Sequence, residues 1–170
     1  GYAHSVGVLH RDIKPDNILI GPYGEVLLLD WGLAKVWHSG DVGDSVQTDE
    51  PDLDVGVSMT SAGKLEGSVM YMSPEQVDRE ADIDFRSDIY SLGAVMYEAL
   101  TGQTPFSGNL VREILADVRY KVPEMPSHFG NLSVPKVLSD LTMSCLSKDR
   151  DDRPSSADEV VRIIQHNWIS

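Results

Sequence analysis

The eight residues His10-Arg11-Asp12-Ile13-Lys14-Pro15-Asp16-Asn17 decide how this chain is read. They bring a carboxylate (Asp12), an ammonium (Lys14) and an amide oxygen (Asn17) into one polar loop. Asp30-Trp31-Gly32 adds a further carboxylate after a short apolar ribbon. Phosphoryl transfer needs that mixture: a carboxylate to orient the attacking hydroxyl, a cation to offset charge on the phosphoryl oxygens, and hard oxygen ligands for magnesium. Asp12 alone would read as a solvated loop aspartate, and it is the company of Asn17 and Asp30 that argues otherwise.

Working outward, Val8-Leu9 and Ile18-Leu19-Ile20 are short apolar runs, and the turn cluster Gly21-Pro22-Tyr23-Gly24 leads into Glu25-Val26-Leu27-Leu28-Leu29. Small β-ribbons are therefore expected on both sides of the polar loop. Further along, the period becomes helical. Ile89, Leu92, Met96, Ala99 and Leu100 share one face and predict a buried helix over 87–101, with Gly102 at the place of a C-terminal cap. Leu110, Ile114, Leu115 and Val118 predict another helix, and Val134, Val137, Leu138, Leu141 and Cys145 a third. The last helix follows Pro154, where Ser155 with Asp158 or Ser156 with Glu159 can form a capping box. The opening Gly1-Tyr2-Ala3-His4 has no Met and reads as the end of a helix, so the chain is expected to be a fragment of something longer.

The chain has 170 residues, of which 41% are hydrophobic and 24% charged, enough for one domain with a core and a poor match to disorder. Its net charge of −13 repels a phosphate backbone and disfavours nucleic-acid binding. Six of those charges, Asp41, Asp44, Asp49, Glu50, Asp52 and Asp54, fall in a stretch over 41–63 without Lys, Arg or His, which reads as a long polar loop. Cys145, the single cysteine, excludes an internal disulfide and a multi-cysteine zinc site, which fits a reducing compartment. The longest apolar stretches, Val26–Leu29 and Leu92–Met96, are far short of the roughly 18 residues of a membrane span. A cytoplasmic segment without membrane contact is expected, within a parent chain that is free to carry an anchor elsewhere. His10 is expected to be a packed structural residue, and His4, His38, His128 and His166 show no ligand spacing.

With these motifs in place, the sequence resembles the protein kinase family, in its serine/threonine-specific branch of bacterial, eukaryote-like style. The resemblance rests on five motifs in the family's order. They are His10 to Asn17, Asp30-Trp31-Gly32, Gly67-Ser68-Val69-Met70-Tyr71-Met72-Ser73-Pro74-Glu75, Ser87-Asp88-Ile89-Tyr90-Ser91-Leu92-Gly93, and Arg150-Asp151-Asp152-Arg153-Pro154. It implies an α+β, kinase-like fold in which a mostly helical C-terminal lobe carries short β-ribbons, with the N-terminal lobe absent. Residues 1–170 would be a truncated kinase domain, with the catalytic loop at 10–17, the activation segment at 30–75 and a helical subdomain at 76–170. No G-x-G-x-x-G occurs in the sequence, so this segment alone is expected to grip ATP poorly.

The resemblance further implies ATP and Mg2+ as cofactors and a protein Ser or Thr hydroxyl as acceptor. Asp12 corresponds to the catalytic base. An ordinary carboxylate is a feeble base toward an alcohol, so its part is expected to be chiefly orientation. Lys14 corresponds to the residue that neutralises the transferred phosphate, and Asn17 and Asp30 to the magnesium ligands. Asp88 is expected to brace the catalytic-loop backbone, Glu75 to pair with Arg153, and Ser68 to contact Asp12 and Lys14. Trp31 stands where the family has Phe, and Ser73 where it commonly has Ala. Thr60 is the expected regulatory phosphosite, with Ser58 and Ser61 behind it, and its phosphate would pair with Arg11. The missing N-terminal lobe of the same parent chain is an implied partner. Two other readings are a pseudokinase acting as a scaffold, which the four retained residues Asp12, Lys14, Asn17 and Asp30 disfavour, and a small-molecule kinase of related fold, which Ser73-Pro74-Glu75 and Arg153 disfavour.

Overall fold

The structure, a computed structural model, describes residues 1–36, 67–129 and 133–168. A short helix α1 (Tyr2–Ser5) leads into four strands: β1 (Val8–Leu9), β2 (Ile18–Ile20), β3 (Val26–Leu28) and β4 (Lys35–Val36). Strands β2 and β3 form an antiparallel hairpin in register Ile18↔Leu28, Leu19↔Leu27 and Ile20↔Val26. Its turn uses Gly24 at φ 88, a left-handed conformation that glycine adopts without steric cost. The sequence predicts these three ribbons. It does not predict β4, which pairs antiparallel with β1 through Val8↔Val36 and Leu9↔Lys35. Two residues carry no alternation to detect.

Among the described residues five further α-helices follow, α2 (Pro74–Val77), α3 (Arg86–Thr101), α4 (Val111–Tyr120), α5 (Lys136–Cys145) and α6 (Ala157–Trp168). The mixture of helices and short ribbons agrees with the expected α+β class. Helix α3 is the axis of the packing, because it faces a core on two sides. One core joins Tyr90, Ala94 and Tyr97 to Phe106, Ile114, Val118 and Leu146, and the other joins Ile89 to Leu141, Cys145 and Val160. Full burial of Ile114 and Val118, both 0% exposed, stabilises by about 1.5–3 kcal/mol each.

The burial of α3 differs in detail from the expected apolar face. Its most deeply buried positions include Ser87, Asp88, Tyr90, Ser91, Gly93, Ala94 and Tyr97, whereas Leu92, Met96 and Leu100 are half-buried and Ala99 is exposed. A central helix is buried by what packs around it, so small and polar residues with partners occupy its inner face. The expected cap is present: Gly102 sits at φ 75 and donates its N–H to Glu98 O at 2.8 Å. At α6, Ser156 Oγ accepts from Glu159 N at 3.1 Å, the second of the two expected boxes. The Glu159 carboxylate turns instead to the backbone and hydroxyl of Ser155, at 2.7 and 2.6 Å. Those bonds hold its carboxyl below the usual range.

Candidate active site

The site starts from two loops carried by the β2–β3 hairpin. Pro15–Asn17 forms a single 3-10 turn before β2, and β3 ends at Leu28, two residues before Asp30. Leu29 N donates to Asn17 O at 2.8 Å, which ties the end of the first loop to the start of the second. Both loops contain a non-glycine residue with left-handed backbone, Arg11 at φ 69 and Asp30 at φ 58. Asp tolerates that region and Arg does so less readily, at a cost of order 1–3 kcal/mol that surrounding contacts must offset. At Asp30 the carboxylate accepts its own loop's Gly32 N–H at 3.2 Å.

Around Asp12 three polar side chains converge. Its Oδ2 lies 2.9 Å from Lys14 Nζ and accepts Asn17 Nδ2 at 3.0 Å. Asn17 Nδ2 also donates to the Asp12 carbonyl at 2.7 Å, so both of its amide hydrogens are used on Asp12 and its Oδ1 is directed elsewhere. Lys14 Nζ reaches Ser68 Oγ at 2.7 Å, the lysine contact expected of that hydroxyl. Asn17 is buried, Asp12 and Lys14 half-buried, and Asp30 exposed. Among the described residues, then, Asp12, Lys14 and Asn17 form one hydrogen-bonded cluster, and Asp30 joins it through the backbone of Leu29.

Beneath the cluster lies Asp88, in the first turn of α3 and 2% exposed. It accepts His10 N and Arg11 N at 2.8 Å each, which is the bracing expected of it. His4 supplies a third partner that sequence reasoning missed, placing Nε2 2.8 Å from Asp88 Oδ2. That contact spans 84 positions, and no local pattern signals it. The His4 Nδ1 is buried without a hydrogen-bond partner among the described residues.

His10 is buried as expected, at 1% exposure. Its Nε2 donates to Leu29 O at 2.9 Å and its Nδ1 accepts Asp12 N at 3.3 Å. Trp31 packs edge-on against it, 4.6 Å between ring centroids, and donates its indole Nε1 to Leu28 O at 3.0 Å. A phenylalanine at this position has no such donor.

On the other side of the cluster, Ser73 and Gln76 cap α2 reciprocally, and Glu75 forms a buried, bidentate pair with Arg153 at 2.6 and 2.9 Å. The expected pairing is therefore present. The Tyr71 hydroxyl donates to Glu98 at 2.5 Å, and burial together with that carboxylate pushes its ionisation up. Thr60, Ser58, Ser61 and the acidic run over 41–54 lie outside the described residues, as does most of the expected activation segment. No cluster of three or more His, Cys, Asp or Glu suited to a metal occurs among the described residues.

The site is thus a carboxylate held between an ammonium and an amide, with the backbone just before it braced by Asp88 of a buried helix. The sequence profile of the protein kinase domain matches residues 1–169, and the chain belongs to that family. It is 40% identical over 167 residues to the serine/threonine-protein kinase PknD of Protochlamydia amoebophila, covering 97% of this chain and 17% of that protein. It is 36% identical to the probable serine/threonine-protein kinase PknB of Bifidobacterium longum, covering 93% of this chain and 20% of that protein. It is likewise 36% identical to PknD of Chlamydia trachomatis, covering 96% of this chain and 18% of that protein. The chain thus spans about a fifth of the length of the curated relatives it matches.

Proposed function

We infer that this chain supplies the catalytic and metal-binding loops of a serine/threonine protein kinase, which transfers the γ-phosphoryl group of ATP to a Ser or Thr hydroxyl of a protein. The observation that carries this reading is the Asp12 carboxylate held between Lys14 Nζ at 2.9 Å and Asn17 Nδ2 at 3.0 Å. Asp12 orients the acceptor hydroxyl and takes its proton late, while Lys14 offsets negative charge on the phosphoryl group in transit. Being tied also to Ser68, Lys14 keeps a defined position beside the carboxylate.

The donor set fits magnesium. Asn17 directs its Oδ1 away from Asp12, and Asp30 has an exposed carboxylate of which one oxygen accepts Gly32 N–H. Two hard oxygen ligands suit an ion that keeps several waters and shares phosphate oxygens. An ion bound there would supply positive charge beside the nucleotide phosphates. Asn17 and Asp30 would hold it.

ATP itself needs a second wall. The hairpin and the loop after it turn apolar side chains to solvent beside the site, with Ile20 71%, Val26 64% and Trp31 44% exposed. That surface supports an N-terminal lobe from the same parent chain as the partner that completes the nucleotide site. Among the described residues, no helix is long and apolar enough to cross a membrane.

The test is γ-phosphoryl transfer to a basic protein by the full-length chain, with Asp12→Asn as control. A loss of about 10²-fold or more in kcat is expected for the variant. Equal activity of the two proteins overturns the role given to Asp12.

A further inference from the structure

Arg11 is held in its left-handed conformation, φ 69, from both sides of its α-carbon. Its N–H goes to Asp88 Oδ1 at 2.8 Å, and its carbonyl accepts Gln76 Nε2 at 2.8 Å across 65 positions of sequence. That carbonyl belongs to the peptide unit that leads into Asp12. Whatever holds its plane also sets the direction in which the Asp12 side chain leaves the backbone.

Gln76 has a second task. Its Oε1 accepts Ser73 N at 3.0 Å and Ser73 Oγ at 3.3 Å, and Ser73 Oγ in turn accepts Gln76 N at 3.4 Å. A capping box is served equally well by Glu or Gln. The contact with Arg11 is not, because a carboxylate would present an oxygen to the Arg11 carbonyl where the amide presents a donor. The two contacts also settle the orientation of the amide, since only one assignment of its oxygen and nitrogen satisfies both. The neighbouring Glu75 is pinned by Arg153, so the helix that carries Gln76 is fixed to the body of the domain.

We propose that Gln76 is a positioning residue for phosphoryl transfer, whose side-chain nitrogen holds the Arg11–Asp12 peptide and so aims the Asp12 carboxylate. This rests on the kinase reading given above. The connection runs from Arg153 through Glu75 and α2 to Gln76, and from there across the hydrogen bond to the catalytic loop. The strained Arg11 backbone is the reason the tie matters: with its carbonyl released, the peptide can relax toward ordinary φ and carry Asp12 with it.

The decisive variant is Gln76→Glu in the full-length chain, which keeps the acceptor that caps α2 and replaces the donor to Arg11 by a carboxylate oxygen. Two measurements are needed, steady-state kinetics and amide hydrogen exchange followed by mass spectrometry. The expected result is a fall in kcat of about 10- to 100-fold with KM for ATP unchanged. Exchange should quicken over residues 9–14 and stay unchanged over 73–80. Gln76→Ala should quicken exchange in both segments. Ser73→Ala, which removes the cap acceptor and the 2.7 Å hydrogen bond to Ser87 Oγ but keeps the Gln76 donor to Arg11, should lower the melting temperature and keep kcat. Unchanged exchange over 9–14 in Gln76→Glu overturns the proposal whether or not the chain is active. Faster exchange there with an unchanged kcat also overturns it. Faster exchange in a chain whose wild type transfers no phosphate keeps the tie and overturns the kinase reading instead.

Discussion

Arg153 gives two N–H donors to the Glu75 carboxylate and the other three to the carbonyls of Ser147, Arg86 and Lys148. All five guanidinium donors are thereby used, and the face of the group lies over the Tyr90 ring with its carbon 5.0 Å from the centroid. The pair joins α2 to the loop before α6 and to the start of α3. A buried charge so completely satisfied contributes through the cost of leaving it alone more than through its own attraction.

Glu75→Gln should therefore destabilise the domain by about 3–5 kcal/mol, because it leaves the Arg153 charge buried without its counter-ion. Urea unfolding measures it. Replacing both residues by apolar ones of similar volume should cost less than either single change, which a double-mutant cycle would show.

Gly93 lies where α3 passes α5 at close range. A Cβ built on it would stand 2.6 Å from Cys145 Cβ and 3.3 Å from Cys145 C. Gly93→Ala should lower stability by about 1–3 kcal/mol through overpacking, offset in part by the better helix propensity of alanine. A reduced melting temperature by circular dichroism is the expected outcome, and an increase would contradict this packing.

Trp31→Phe keeps a ring against His10 and removes the donor to Leu28 O. The bond is exposed, so the loss expected in urea unfolding is about 1 kcal/mol or less. A larger loss would mean that the indole shape carries more of the packing than its N–H does.

Lys148 places its ammonium 4.3 Å from the Phe106 ring centroid and donates to Val118 O at 2.6 Å. Burial, aided by the nearby Arg153 charge, brings its pKa down to about 8 from 10.5. The unfolded chain then binds more protons between those values, so this group's contribution to stability rises with pH from about 8 upward. Cys145 acts in the opposite sense: burial raises its thiol from 9.0 to about 12, and the stability it contributes is lost as pH rises from 9.0 toward that value. Between about pH 8 and 9 the melting temperature of wild type should gain on that of Lys148→Met. A difference that is flat across this range would overturn the assignment.

The legible parts of this protein are those in which neighbouring residues carry the information. The hairpin Ile18–Leu28, the cap at Gly102 and the helix containing Ile114 and Val118 follow from apolar spacing and turn chemistry over a few positions. The polar loop over 10–17 is legible in its composition, and the resemblance to the kinase family implies the contact of Asp88 with that loop and of Glu75 with Arg153. Less legible was the burial of α3, whose inner positions include Ser87, Asp88 and Ser91. Hydrophobic periodicity does not register a polar residue that is buried because its partners wait for it.

By itself, then, the sequence determined the chemical inventory: the carboxylate, ammonium and amide of Asp12, Lys14 and Asn17, the second carboxylate at Asp30, and the concentration of negative charge over 41–54. Only the tertiary structure decided how the inventory is held. It brought His4 to Asp88 across 84 positions and Gln76 to Arg11 across 65. The physical reason is that residue type and short-range spacing govern local conformation and available chemistry. Hydrogen bonds between distant segments exist only once α3 and its two cores have placed both partners within about 3 Å.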